Sequence, residues 1–304
     1  MKLFRILVIS VGRIIVLGIF LYYIMREDFD EPTRLVCSIC LPLLFWIGYG
    51  CLVRSKIRFM EWRTIHACQK WQKPRDGKRY AACGVLEPIA RPLKAPLSGR
   101  SCVMYDYEMT RLVKRNIHST IGSQTTGEIV FSGAALTPSI IRTRFGPVKL
   151  LGYSALDGFP TEVVEDCTIA NRYIKSTTFK EQRGTIKLST FQAMEDIVTD
   201  DDGHIRSDWR FFDNENAFGL VLHEIIVPPG TQVCAIGMYK AQVGGLVNDR
   251  IGSGYSLRLI KGDAKATMRS LSNQAIVSLI FGLVLFFSSA ISISHLIMKW
   301  MDKI

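Results

Sequence analysis

The sequence predicts an α+β membrane protein in which three transmembrane helices, two N-terminal and one C-terminal, flank a β-rich soluble domain. Three observations lead there. Long apolar runs occur at the two ends of the chain and not in the middle. The chain is 48% hydrophobic yet carries a formal net charge of +11 over 304 residues, a pairing uncommon in soluble domains. The middle alternates with period two between Pro-Gly and Gly-Gly turns, the pattern of half-buried strands.

The first run, "ILVISVGRIIVLGIFLYYIM" at 6–25, is long enough to cross ~30 Å of hydrocarbon at ~1.5 Å per residue. Arg13 sits nearer its N-terminal end, from which its long side chain snorkels toward the headgroups. A signal peptide is the alternative, but "YYIMREDFDE" offers no small-x-small cleavage site. The expectation is therefore an uncleaved helix. The second run, "LVCSICLPLLFWIGYGCLV" at 35–53, contains no charge. The third occupies 275–298, with His295 as its one ionisable group.

Lysine and arginine placement sets the expected orientation. The loop "REDFDEPTR" has two basic and four acidic residues, whereas Arg54, Lys56, Arg58, Arg63, Lys70 and Lys73 follow the second run, with more beyond. A cluster like this beside a bilayer is attracted to anionic lipid by about 1 kcal/mol per charge. The expected location is an integral protein of a bacterial inner (plasma) membrane, with the domain in the cytoplasm and the C-terminus outside. The partners expected are the bilayer, its anionic lipids in particular, and a membrane protein.

Residues 54–79 form the basic juxtamembrane segment, where Trp62 and Trp71 among the cations suit a helix lying in the interface. Tryptophans among basic residues also stack on nucleic acid, but the position flush against a span favours lipid over nucleic acid. Eight cysteines are present, three in the second run and five scattered: Cys68, Cys83, Cys102, Cys167 and Cys234. A secreted disulfide framework has an even, clustered set, so free thiols in a reducing compartment are expected.

Across 80–272, "YAACGVLEP", "CVMYDYEMTRLVKRN", "GEIVFSG", "IIRTRFGPVKLLGYS", "GTIKLST" and "FGLVLHEIIVPPGTQVCAIGMYKAQVGG" read as strands. "TEVVEDCTIANRYIKSTTF" and "STFQAMEDIVTD" leave room for one or two short helices.

No motif compels an enzyme. Cys37-x-x-Cys40 lies in an apolar run with no second ligand pair, and tetrahedral zinc needs four ligands. His223-Glu224 lacks the histidine four places on. "TDDDGHIRSDW" fails as a calcium loop, because with Gly203 at position six the first and twelfth places are Val198 and Trp209. There is no phosphate-binding Gly-x4-Gly-Lys and no Gly-x-Ser-x-Gly elbow. Cys102 is the remaining nucleophile candidate. Arg100 is near it, but the histidines fall in no recognisable Cys/His arrangement. No cofactor and no metal is implied.

"GVLEPIARPLKAPLSGRSCVMYDYEM" at 84–109 resembles the signature of the GIDE, or beside-a-membrane (BAM), domain. The residues carrying it are Pro92, Pro96, Leu97, Ser98, Gly99 and Cys102. "EIIVPPGTQVCAIGMY", with Gly230 and Gly237, is similar to the family's strand–Pro-Gly–strand element, and "LRLIKGDAKATMRSLSN" leads into a membrane helix as the family often does. The best-known relatives are mitochondrial membrane E3 ubiquitin ligases, whose chemistry lies in a C-terminal RING finger. This sequence has no RING cysteines after 298.

The resemblance implies a rigid proline- and glycine-built loop presenting a strand that starts at Cys102. The function expected is a non-enzymatic binding or sensing module at the membrane surface, in membrane stress or organisation. The alternative is a ubiquitin-ligase-like or thiol-dependent enzyme. A transporter needs more polar residues in its spans than Arg13, His295 and a few serines supply.

Overall fold

The structure, a computed structural model, describes residues 31–70, 73–115, 124–152, 154–181, 198–199, 205–213, 216–247 and 257–301. The chain opens on α1 (Glu31–Gln69). There follow β1 (Arg79–Pro88), β2 (Leu93–Lys94), β3 (Ser101–Cys102), β4 (Met104–Arg115), β5 (Gln124–Leu136), β6 (Ser139–Thr143), β7 (Gly146–Leu151), β8 (Ala155–Asp157) and β9 (Glu162–Val164). After α2 (Cys167–Ser176) come β10 (Lys180–Glu181), β11 (Val198–Thr199), β12 (Ile205–Arg210), β13 (Leu220–Val227), β14 (Gln232–Lys240), β15 (Gly245–Val247) and β16 (Arg258–Lys261). The last described element is α3 (Ala264–Met301).

Strand dominates, and the expected three membrane helices flanking a domain are corrected. Among the described residues one helix is long and apolar enough to cross a membrane, Ala264–Ser289. The run at 6–25 lies outside the described residues. The run at 35–53 forms no helix of its own. It continues without a break into the basic segment, so both share one 39-residue helix. The sequence pattern marked a change of polarity there, and the backbone ignores it because Arg, Lys and Glu are good helix formers.

Two compact units result: a helical one, drawn from residues up to Arg63 and from Met268 onward, and a β-rich one, Thr64–Thr267. In the helical unit α1 and α3 come close at two glycines. A Cβ on Gly48 would lie 3.2 Å from the Gly282 carbonyl oxygen, and one on Gly282 would lie 3.1 Å from that of Gly48. Small residues permit this backbone approach, as they do between helices in lipid. Phe45 packs on Phe286 at 5.1 Å, and the buried Ser55 hydroxyl donates to the Ala275 carbonyl at 2.8 Å. Along α3, Ile276, Val277, Ile280, Phe281, Val284 and Phe287 stand half-exposed or more.

In the β-rich unit one sheet runs β1-β6-β7-β15-β14 and returns, through an added β14–β1 pairing, to its first strand. The ring is a small closed barrel, extended from β14 by β16 and β8. Closure leaves the ring strands without free edges. The second sheet is open, ordered β10-β12-β5-β4-β13-β9, with β11 on β12. In β4 the alternation read from the sequence is present: Tyr105, Tyr107 and Met109 are buried against the core that includes Ala170 and Ile174 of α2, and Asp106 and Glu108 take the other face. "TEVVEDCTIANRYIKSTTF" yields β9 and α2, the helix capped by Asp166, whose carboxylate accepts the Thr168 N–H. "GTIKLST" lies outside the described residues.

The barrel corrects the expectation of free thiols at two of the five scattered cysteines, while Cys68, Cys102 and Cys167 are free. Cys83 and Cys234 are register partners on β1 and β14, their Cα atoms 4.1 Å apart, and they form a disulfide. Directly opposed residues of a non-hydrogen-bonded antiparallel pair come this close. The cysteines are 151 residues apart in sequence, so spacing carried no sign of the pairing.

Candidate functional site

The proline-rich motif folds into a tight hairpin. Leu93 of β2 pairs with Cys102 of β3 and Lys94 with Ser101. The turn between them is closed by Ala95 N–H to the Arg100 carbonyl and Gly99 N–H to the Ala95 carbonyl, both 2.9 Å. Gly99 has φ +70°, and a Cβ there would sit 3.1 Å from Ile169 of α2. A side chain is thus disfavoured on both backbone and steric grounds. Pro92 is exposed at the hairpin's entry, whereas Pro96 and Leu97 are buried.

What holds the hairpin is Glu224 of β13, 1% exposed. Its carboxylate accepts Leu97 N–H at 2.8 Å, Ser98 N–H at 3.2 Å and the Ser98 hydroxyl at 2.5 Å. A buried carboxylate stripped of water is tolerated when donors replace the lost hydration. Arg100 donates to the Ser98 hydroxyl oxygen at 3.3 Å and pairs with Glu162, the register partner of Glu224 on β9.

Cys102 lies behind this clasp with no exposure, its Sγ 3.7 Å from the Leu93 carbonyl oxygen. Burial first, and then the negative charge of Glu224, push its thiol up to about 12, with Arg100 pulling weakly the other way. A thiol so held is protonated and poorly nucleophilic at neutral pH. Gly230 turns the chain between β13 and β14 with φ +79°, and Gly237 lies inside the barrel facing Leu257.

A second polar cluster lies on the same face. Tyr107 and Tyr173 both donate phenolic O–H groups to Asp208 Oδ1, at 2.8 and 2.7 Å. Arg206 donates to the Tyr173 oxygen at 2.9 Å and reaches Asp208 Oδ2 at 3.4 Å. The Tyr105 and Tyr173 hydroxyls stand 3.4 Å apart. Burial raises the Asp208 carboxyl against the pull of its three donors, and it raises Tyr173 to about 12. Gly133, the register partner of Asp208, makes the room: a Cβ there would lie 2.6 Å from Asp208 Oδ1. Both clusters consume their donors and acceptors internally and tie α2 and the hairpin to the sheet.

Of the basic residues, Arg54, Lys56, Arg63, Lys70 and Lys73 are exposed. Arg58 is half-buried and paired at 3.2 Å with Glu61, which is 1% exposed. In the helical unit Lys56, Phe59, Met60 and Arg63 share one helix face, with Phe59 52% and Met60 39% exposed. In the β-rich unit Ile65 and Cys68 are buried, the Cys68 sulfur accepting the Ala81 N–H. Trp62 stacks on Phe59 at 5.5 Å, and Trp71 is outside the described residues. No group of three or more His, Cys, Asp or Glu side chains among the described residues is placed to hold a metal.

Glu224 and Asp208 did not stand out in the sequence. The signal was there in part: Leu222, Glu224 and Ile226 share the buried phase of β13, where a carboxylate needs a dedicated partner. Comparison with known protein families, with curated proteins and with solved structures finds no match in any of the three.

Proposed function

We propose that the chain is a membrane-tethered, non-enzymatic binding module with a GIDE/BAM-like head, which recognises anionic lipid at the bilayer surface. The observation that carries this is the α1 face on which exposed Phe59 and Met60 alternate with Lys56 and Arg63. Apolar side chains that enter the acyl boundary between cations that meet headgroup phosphates are what an interfacial helix requires. The apolar stretch Ala264–Ser289 supplies the tether. A thiol-dependent enzyme is disfavoured by the sealed, protonated Cys102. A ubiquitin-ligase-like activity has no supporting group among the described residues.

The test is hydrogen exchange on the full chain in nanodiscs of neutral or anionic lipid. Residues 54–70 gain protection in anionic discs, lose it in high salt, and fail to gain it in Lys56→Glu/Arg63→Glu. Equal protection in neutral discs overturns the proposal.

For the side of the membrane, the basic run favours the cytoplasm. A second orientation, with the head on an oxidising side, is favoured by the Cys83–Cys234 disulfide. Trapping thiols before lysis and counting those that resist alkylation in the isolated membranes separates the two.

A further inference from the structure

The Cys83–Cys234 bond joins two strands that pair without it. β1 and β14 are in register from Arg79–Met238 to Val85–Gln232, and the disulfide lies inside that ladder. With both sulfurs reduced, the ladder still holds the two cysteines directly opposite each other, where the bond re-forms. The partners are unequal: Cys234 has no exposure, whereas Cys83 is half-buried, so a reductant meets Cys83 first. Support around Cys83 is one-sided. Among the described residues β1 pairs with β14 alone from Arg79 to Gly84, and β6 joins it only at Val85. On the other edge the Ala81 N–H donates to the Cys68 sulfur, in the last turn of α1, at 3.4 Å. β14 in turn pairs with β16, Cys234 opposite Ile260, and β16 leads into α3. The bond therefore ties the strand that follows α1 to the neighbour of the strand that precedes α3.

We propose that this disulfide is a reversible switch, opened by a protein dithiol and closed by a disulfide oxidant, that sets how firmly β1 and the last turn of α1 are held to the barrel. The basic run favours a cytoplasmic head, and disulfides on that side are chiefly transient and redox-sensing. A thiolate of the dithiol attacks Cys83 Sγ. The Cys83–Cys234 bond breaks, and its electron pair goes to Cys234 Sγ, which takes up a proton. The second thiol of the reductant then attacks the mixed disulfide and releases Cys83 as a thiol. The chain gains two electrons and two protons, and the dithiol leaves as a disulfide. Closure reverses each step. The inference rests on the cytoplasmic orientation and not on lipid binding.

The experiment follows hydrogen exchange and thiol alkylation on the full chain in detergent micelles, with reduced thioredoxin as the probe. Both cysteines are expected to become alkylatable without denaturant. Exchange in 79–84 and in the last turn of α1 rises about tenfold or more, while β4 and β5 stay protected. Oxidised glutathione restores the bond and the protection. The double variant Cys83→Ala/Cys234→Ala exchanges at the reduced rate under both conditions. In growing cells, thiols trapped before lysis show the pair reduced, and brief diamide treatment joins it. The proposal is overturned by a bond that opens only in denaturant, by unchanged exchange in 79–84, or by loss of protection in β4 and β5 as well. A pair already joined in untreated cells, with normal opening in micelles, overturns the cytoplasmic orientation and the switch with it.

Discussion

The closed barrel and the open sheet of the β-rich unit are built from neighbouring stretches of one chain, yet they are secured in opposite ways. The barrel core is largely apolar, with Leu86, Ile141, Leu150, Val233 and Leu259 buried, and the disulfide bridges the pairing that closes the ring. The open sheet buries Glu224, Asp208, Tyr105 and Tyr107 and uses them to hold a hairpin and a helix in place. A closed ladder satisfies its own backbone and needs only volume inside. A sheet covered by separate pieces needs directional bonds to fix where each piece sits, since apolar contact alone tolerates sliding.

The largest expected effect falls on the barrel. Gly84 lies in β1 beside Val85, where pairing passes from β14 to β6, and a Cβ there would run into the Arg142 carbonyl. Gly84→Ala should cost about 4 kcal/mol or more, as overpacking against backbone does, and abolish cooperative thermal unfolding. Second, Asp208→Ala leaves the phenols of buried Tyr107 and partly buried Tyr173 without their acceptor, at about 3 kcal/mol. If the contrast between the two regions holds, hydrogen exchange in this variant rises in α2 and leaves β14 unchanged; loss of protection in both would break it. Third, reducing Cys83–Cys234 should lower stability by about 3 kcal/mol, read from denaturant midpoints with and without reductant, with protection falling first in β1 and β14.

A smaller effect comes from pH. Cys102 is raised from 9.0 to about 12 in the folded state. The folded chain thus holds a proton that the unfolded chain releases above pH 9. Stability is complete below 9 and falls as pH rises toward 12, by about 1.4 kcal/mol per pH unit for one such group. Tyr173, raised from 10.0 to about 12, adds to the fall above pH 10. Cys102→Ala should make the part between 9 and 10 shallower, leaving the share of Cys68, whose thiol is also raised by burial. Smallest of all, Tyr105→Phe removes only a 3.4 Å contact with Tyr173 and should change stability by about 0.5 kcal/mol.

What the sequence revealed was local. The alternation of β4, the strand–Pro-Pro-Gly–strand of β13 and β14, and the rigid 92–100 turn were all readable, because each depends on residues a few places apart. The long-range pairings were not. Ser98 and Glu224 meet across 126 positions, Tyr107 and Asp208 across 101, and the disulfide spans 151. The run at 35–53 misled for a related reason. Judged singly it looked like a span of its own, whereas α1 joins it to the charged stretch that follows in one longer helix.

The bridge between the first and next-to-last strands of the barrel ring has a consequence for fragments. Because it ties together two ends of a 151-residue stretch, a protease that cuts once anywhere between them yields two pieces still joined through sulfur. On a gel such a nicked chain runs as one band until a thiol is added, and the pieces can be recovered still bound to each other.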